Sequence, residues 1–311
     1  MRAIRVHQFG PTANLMLDEI PRPVPSKCEV LVEVYAAGVG LWDSWIRSGG
    51  GPVTQSLPLV PGSDIAGVVR EVGADVAGLR VGDAVFGVTN ARFVNGYAEF
   101  AIASAALLSS KPVRATFVQA ASMPVVAVTA WQMLFEHAKV QPGNRVLILG
   151  AAGNVGEYAV QFCRQQGIRV IALINTDNGA REHLKAIGAQ EVIDGRSLQW
   201  LQKVDVVIDL VGGEAQRASL VALKRGGKIV SAVGAPNERD LASHQVQGQG
   251  ILVSPRANYL SQIAKHFDAG DLVANVGTVL PLESAREAHE MVEGSRPHER
   301  GKIVLAVKAE S

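Results

Sequence analysis

Cysteine is scarce in this chain: Cys28 and Cys163 are the only two in 311 residues, too few for a disulfide framework or a cysteine-based zinc site. Aromatic residues make up only 5% and the formal net charge is +1, so there is no basic field to attract nucleic acid or an anionic membrane surface. No stretch approaches the unbroken apolar length of a membrane span, and the first residues lack the apolar core of a signal peptide. These absences leave a cytoplasmic chain, without nucleic-acid or membrane partners, as the expectation. What is plentiful is small and aliphatic: 48% of residues are hydrophobic and 32 are glycine, in a length that suffices for two domains with a large core.

The glycines matter most in one stretch, Arg145-Val146-Leu147-Ile148-Leu149-Gly150-Ala151-Ala152-Gly153-Asn154-Val155-Gly156. A run of branched apolar residues reads as a strand buried on both faces, the small residues permit a tight turn, and from Glu157 to Cys163 apolar spacing resumes at a helical period. Such a turn lets the backbone approach a pyrophosphate, whose charge is met by the unpaired N–H groups and positive end of the helix. Glycines alone also serve ordinary turns, so the surroundings carry the argument. Strands are expected at 169–174, 204–213 and 227–234, all apolar and the last two ending in small residues, with helical segments between them. That alternation predicts a parallel sheet that binds a dinucleotide at the carboxyl ends of its strands. Cys163, on the helix after the turn, reads as a buried structural thiol.

Before this region the chain is β-rich. Strands are expected at 2–6, 29–39, 65–73, 83–87 and 96–102, punctuated by glycines and by the proline-rich connector 21–25. An alanine-rich helix follows, with Pro124 near its start. After Gly234 the periodicity breaks up, and Ile251-Leu252-Val253 reads as a further strand. Two amphipathic helices near 259–269 and 282–293 and a last strand, 302–307, close the chain without an obvious partner for that strand.

Several motifs in fixed order resemble one family, the medium-chain dehydrogenase/reductases, in their zinc-independent quinone oxidoreductase and enoyl reductase branch. They are Gly38-Val39-Gly40-Leu41-Trp42-Asp43-Ser44-Trp45, Pro61-Gly62-Ser63-Asp64, Val81-Gly82-Asp83-Ala84-Val85-Phe86-Gly87, the glycine turn, and Arg300-Gly301-Lys302-Ile303-Val304-Leu305. The resemblance implies an α/β fold in which a Rossmann-type parallel sheet domain (123–256) is inserted into a β-rich, GroES-like catalytic domain (1–122 and 257–311). It supplies a partner for the last strand and implies a homodimer joined through the dinucleotide domains. Zinc-dependent relatives carry a cysteine and a histidine at positions that match Gly40 and Ser63, and neither residue here ligates zinc.

For the cofactor, the resemblance implies contacts from Gly150, Ala151, Ala152, Gly153, Asn154, Val155 and Gly156, from Val211, Val233 and Gly234, and from Lys302, which otherwise only starts the last strand. The position where an acid binds the ribose of NAD is the neutral Asn175, which permits the 2′-phosphate of NADPH. Arg181 either pairs with that phosphate or is a solvated helix-surface residue. Asp177 is either a helix cap or a ribose ligand.

The expected chemistry is hydride transfer to a quinone or to the β-carbon of an α,β-unsaturated carbonyl, with two expected catalytic contacts. Thr129 matches a nicotinamide-contacting threonine, or is simply bonded back to its own helix. Trp45 stands where relatives carry tyrosine, and an indole donates an N–H but supplies no proton at neutral pH. Trp42 and Trp45 form either an aromatic wall for a flat substrate or part of the core. Asp43 and Asp64 are expected to hold turns rather than catalyse. With Gly40 and Trp45 departing from the family's polar residues, a non-enzymatic NADPH-binding protein of the same fold stays as the alternative.

Overall fold

The computed structural model describes residues 1–51, 53–175 and 179–309. Asp177 lies outside the described residues. The chain divides into two compact units, Met1–Val125 with Pro255–Ser311, and Val126–Ser254.

In the first unit the organising element is the strand Glu29–Val39, apolar over most of its length and buried on both faces. It pairs antiparallel with three strands: Asp64–Val72, Phe100–Ser104 and Lys302–Ala306. The closing strand of the chain therefore has its partner in the N-terminal part, and on its other side it runs parallel to Val276–Pro281. Ala84–Val88 and Leu108–Ser110 complete this seven-stranded sheet. A hairpin of Arg2–Val6 and Leu15–Glu19 is tied to it where the Ile4 N–H donates to the Tyr97 carbonyl. Valines and isoleucines of these strands, with Tyr97, Leu282 and Met291, make one hydrophobic core. The barrel-like, GroES-type half of the expected fold is thus present. Its helix Leu41–Arg47 starts at Gly40, where the Asp43 carboxylate turns back to accept the Gly40 N–H at 2.8 Å.

The second unit is a parallel six-stranded sheet. Its spatial order is Glu191–Ile193, Arg169–Leu173, Arg145–Leu149, Val204–Asp209, Leu223–Ser231 and Gln247–Gly250. Numbered from Arg145–Leu149, that order is 3-2-1-4-5-6, the doubly wound arrangement of dinucleotide-binding sheets. Leu147, Leu149, Ile171, Val207 and Ile229 fill its core. The helix Pro124–Trp131 runs into a wider π-type turn over Gln132–Ala138.

The strand expected at 251–253 does not form there. The sixth strand is Gln247–Gly250, a Gln-Gly-Gln-Gly run with no intrinsic strand preference, fixed by its register with Lys228–Ser231. Ile251 adds one more bond, to the Ser231 carbonyl, before the backbone of Ser254 is captured by both ends of the Gln132 amide. The segment 235–249 also contains a helix, Glu238–His244, capped by the Asn237 side chain.

Candidate active site

The glycine turn is built as its composition requires. Gly150 leaves the first strand with φ +74°, and Gly153 caps the twelve-residue helix Asn154–Gln165 without a side-chain bond of its own. A Cβ on Gly156 would lie 2.6 Å from the Cα and carbonyl oxygen of Ala151, so the helix can press on the turn only because that side chain is missing. Backbone N–H groups at the start of this helix suit a dinucleotide pyrophosphate. Ala151 is buried, whereas Ala152, Gly153, Asn154 and Val155 are at least partly accessible.

The next strand ends at Leu173, and Asn175, just beyond it, is exposed and neutral. Arg181 lies in the first turn of the helix Ala180–Ile187, and its guanidinium donates to the carbonyl of Val192 on the edge strand. A phosphate contact there would compete with that bond. On the other side of the turn, Val211 and Val233 project at the ends of their strands, 42% and 55% exposed. They lie close to glycines: a Cβ on Gly150 would come 3.0 Å from Val211, and one on Gly212 3.0 Å from Val233. Gly234 follows with φ +158°, close to extended backbone. Thr129 is buried on the helix Pro124–Trp131.

In this second unit Asp209 stands outside every motif of the sequence. Fully buried at the end of its strand, it accepts the N–H groups of Val211 at 3.0 Å and Gly212 at 2.9 Å on one oxygen. On the other oxygen it accepts from Gln216 Nε2 and the Ser231 hydroxyl, each at 2.7 Å. The available signal was an acid ending an apolar strand, two and three residues ahead of the bonded Val211 and Gly212, a spacing typical of side-chain-capped turns.

The first unit gathers a buried polar cluster. Lys302 starts the last strand, and its ammonium is 3.2 Å from Asp64 Oδ2 and 4.3 Å from the centre of the Trp42 ring. Its charge is committed here because the lysine is only 2% exposed and Asp64 not at all. Asp64 Oδ1 accepts the Val125 N–H at 3.1 Å. Burial raises the Asp64 carboxyl above its usual range despite the opposing pull of Lys302. Asp43 Oδ2 accepts from Gly40 and, at 3.0 Å, from the Tyr97 hydroxyl. Burial pushes Asp43 up to about 7, against the Gly40 N–H and the Lys302 charge; the charge of Asp64 adds to the rise. Behind this cluster, buried His289 meets the Ser44 hydroxyl at 3.2 Å, and burial together with the Arg47 charge lowers it to about 3.

The two tryptophans separate. The Trp42 indole turns inward and donates to Ser63 Oγ at 3.2 Å, while Trp45 is 56% exposed on the same helix, one turn from the exposed Leu41.

These positions also test the fit of a catalytic zinc. Gly40 offers no ligand, and the Trp42 ring occupies the space that a side chain on Gly40 would take. Ser63 is bonded to the same indole, and the neighbouring Asp64 already faces the Lys302 ammonium. No group of three or more His, Cys, Asp or Glu among the described residues is arranged to hold a metal ion. The residues present do not fit zinc.

Comparison with known proteins agrees with this architecture. Residues 26–129 match the family described as the alcohol dehydrogenase GroES-like domain, and residues 187–305 that described as zinc-binding dehydrogenase. The quinone oxidoreductase of Pongo abelii is 32% identical over 98% of this chain and 97% of its own length. The structure of the quinone oxidoreductase from Coxiella burnetii superposes with a TM-score of 0.90 at 33% identity, covering 99% of each chain. A cobalt- and zinc-bound thermostable alcohol dehydrogenase from Pyrobaculum aerophilum has the same fold, with a TM-score of 0.88 at 31% identity over 99% of each chain. The chain belongs to the medium-chain dehydrogenase/reductase family, in its quinone oxidoreductase branch, and is an oxidoreductase of a family that binds a nicotinamide cofactor.

Proposed function

We propose that the chain is an NADPH-dependent reductase that passes hydride to a quinone or to the β-carbon of an α,β-unsaturated carbonyl. The observation that carries the cofactor choice is Asn175, neutral and exposed at the end of the strand that follows the glycine turn. A carboxylate there would accept from the ribose hydroxyls of NAD and repel a 2′-phosphate; the amide of Asn175 can still accept a hydrogen bond but carries no charge to repel that phosphate. The quinone oxidoreductase relatives, spanning the whole chain, support the acceptor.

When bound, the nicotinamide supplies the hydride. The residues then have separable tasks. The N–H groups of Asn154 to Gly156, in the first turn of the helix, would receive the pyrophosphate, and the thin turn Gly150–Ala152 would let it approach. Val211, Val233 and Gly234 form an apolar floor beside it. Thr129 offers a hydroxyl to the nicotinamide amide. Trp45 and Leu41 present apolar surface to a flat acceptor, and the indole N–H donates to the acceptor oxygen as negative charge develops. The indole has no proton to lose near neutrality, so the proton that completes reduction comes from water. Lys302 is assigned to the Asp64 pair rather than to the cofactor. We also place a homodimer contact on the sheet edge Gln247–Gly250, testable by sedimentation.

The reading is tested by mixing the protein with NADPH or NADH and a panel of quinones, enones and aldehydes, and following loss of the reduced-nicotinamide absorbance. Oxidation of NADPH by quinones or enones supports it. Cofactor binding without turnover of any acceptor would favour the non-enzymatic alternative.

A further inference from the structure

Asp209 is a buried carboxylate whose four bonds go to neutral donors: the N–H groups of Val211 and Gly212 just after its strand, Gln216 on the helix Gly213–Ser219, and Ser231 at the end of the neighbouring strand. Burying a charge for such partners is costly, and apolar residues of similar size would fill the space more cheaply. What the carboxylate provides is geometry. Its first oxygen pins Val211 and Gly212, the turn after one strand. Its second holds Ser231, whose oxygen accepts the Val233 N–H at 3.2 Å, and Gln216, whose amide also donates to the Gly234 carbonyl at 3.0 Å. The Asp209 carbonyl accepts the Ala232 N–H as well. One residue thereby fixes the Val211–Gly212 and Ala232–Gly234 loops against each other.

The strand order says which part of a dinucleotide those loops would meet. With a pyrophosphate at the turn after Arg145–Leu149, the adenosine ribose would lie toward the neighbouring strand Arg169–Leu173 and Asn175 on one side. The other half extends the opposite way, over the ends of Val204–Asp209 and Leu223–Ser231. We infer that Asp209, through Ser231 and Gln216, is a positioning residue for the nicotinamide half of the cofactor, presetting Val211 and Val233 as one apolar floor. This rests on the dinucleotide site proposed above and adds a residue that acts without touching the ligand.

Asp209→Asn is the informative variant. Its remaining oxygen still accepts from Val211 and Gly212, but its amide meets the Gln216 donor head-on, so the side-chain hold on the second loop is weakened while that on the first is kept. Dissociation constants are measured for NADPH and for adenosine 2′,5′-bisphosphate, which lacks the nicotinamide half. The expected result is NADPH weakened about tenfold or more in Asp209→Asn, less in Ser231→Ala, with adenosine bisphosphate binding within about twofold of wild type in both. Unchanged NADPH affinity, or equal weakening of both ligands, would overturn the inference. Should Asp209→Asn fail to fold, Ser231→Ala and Gln216→Leu each remove one bond to the second oxygen and decide the same question. A wild-type protein that takes NADH in place of NADPH corrects the cofactor proposal alone, and the comparison is then made with NADH and ADP. Wild type binding neither cofactor overturns both.

Discussion

Lys302 and Asp64 are 238 positions apart, and the lysine reaches the carboxylate across Gly38, on the strand between theirs. A Cβ on Gly38 would lie 3.1 Å from both the Asp64 Cβ and the Lys302 Cε and would collide with the Ala121 carbonyl. The glycine is what lets opposite charges from the two ends of the chain meet inside the protein. Removing one partner leaves a buried, uncompensated charge. Lys302→Met should therefore lower unfolding stability by about 3–5 kcal/mol, and Lys302→Met with Asp64→Asn should recover part of the loss. Denaturant titration of the two variants measures this.

Two groups of the same cluster give stability opposite dependences on pH. His289 is held neutral, with a folded-state value of about 3, so between that and about 6.5 the unfolded chain binds the extra proton and stability falls as pH falls. Asp43, raised to about 7, holds a proton that the unfolded chain has already released above about pH 4, so its contribution is lost as pH rises toward 7. Relative to wild type, His289→Gln should flatten the acid-side fall. Asp43→Asn should remove the decline between pH 4 and 7, each slope amounting to at most about 1.4 kcal/mol per pH unit. Stability measured by denaturant from pH 4 to 8 separates them; slopes of the opposite sign would contradict the assignment.

How much of this could be read from the chain depended on whether the signal was local. The run Arg145–Leu149, its glycines and the helix after them showed themselves through a change of period within twenty residues. Gly38, Asp64 and Lys302 were visible as motif residues, but their meeting depends on the register of three strands, which no window of sequence contains. The strand Gln247–Gly250 was hidden because neighbours impose it on residues without strand preference, while the aliphatic Ile251-Leu252-Val253 advertised a strand that the ladder does not reach. Asp209 looks like any polar residue at a strand end, since its partners Gln216 and Ser231 come together only when the sheet forms.

Gly156→Val should abolish cofactor binding, because its first added carbon already falls 2.6 Å from the Ala151 backbone. Titrating NADPH against cofactor-sensitive fluorescence, with circular dichroism as the control for folding, gives the result.

Trp45→Ala removes a side chain that is more than half exposed, so stability should change by less than about 1 kcal/mol. The KM for aromatic quinones should rise several-fold through lost stacking area, with cofactor affinity unaffected. Steady-state kinetics with one small and one bicyclic quinone tests this.

The proposed preference for NADPH over NADH is decided at Asn175. In Asn175→Asp a carboxylate would face the proposed 2′-phosphate position, and NADPH should lose about tenfold in kcat/KM with a quinone acceptor, equivalent to about 1.4 kcal/mol, while NADH holds or gains. Wild type that uses NADH at least as well as NADPH, with Asn175→Asp leaving that ratio unchanged, would contradict it.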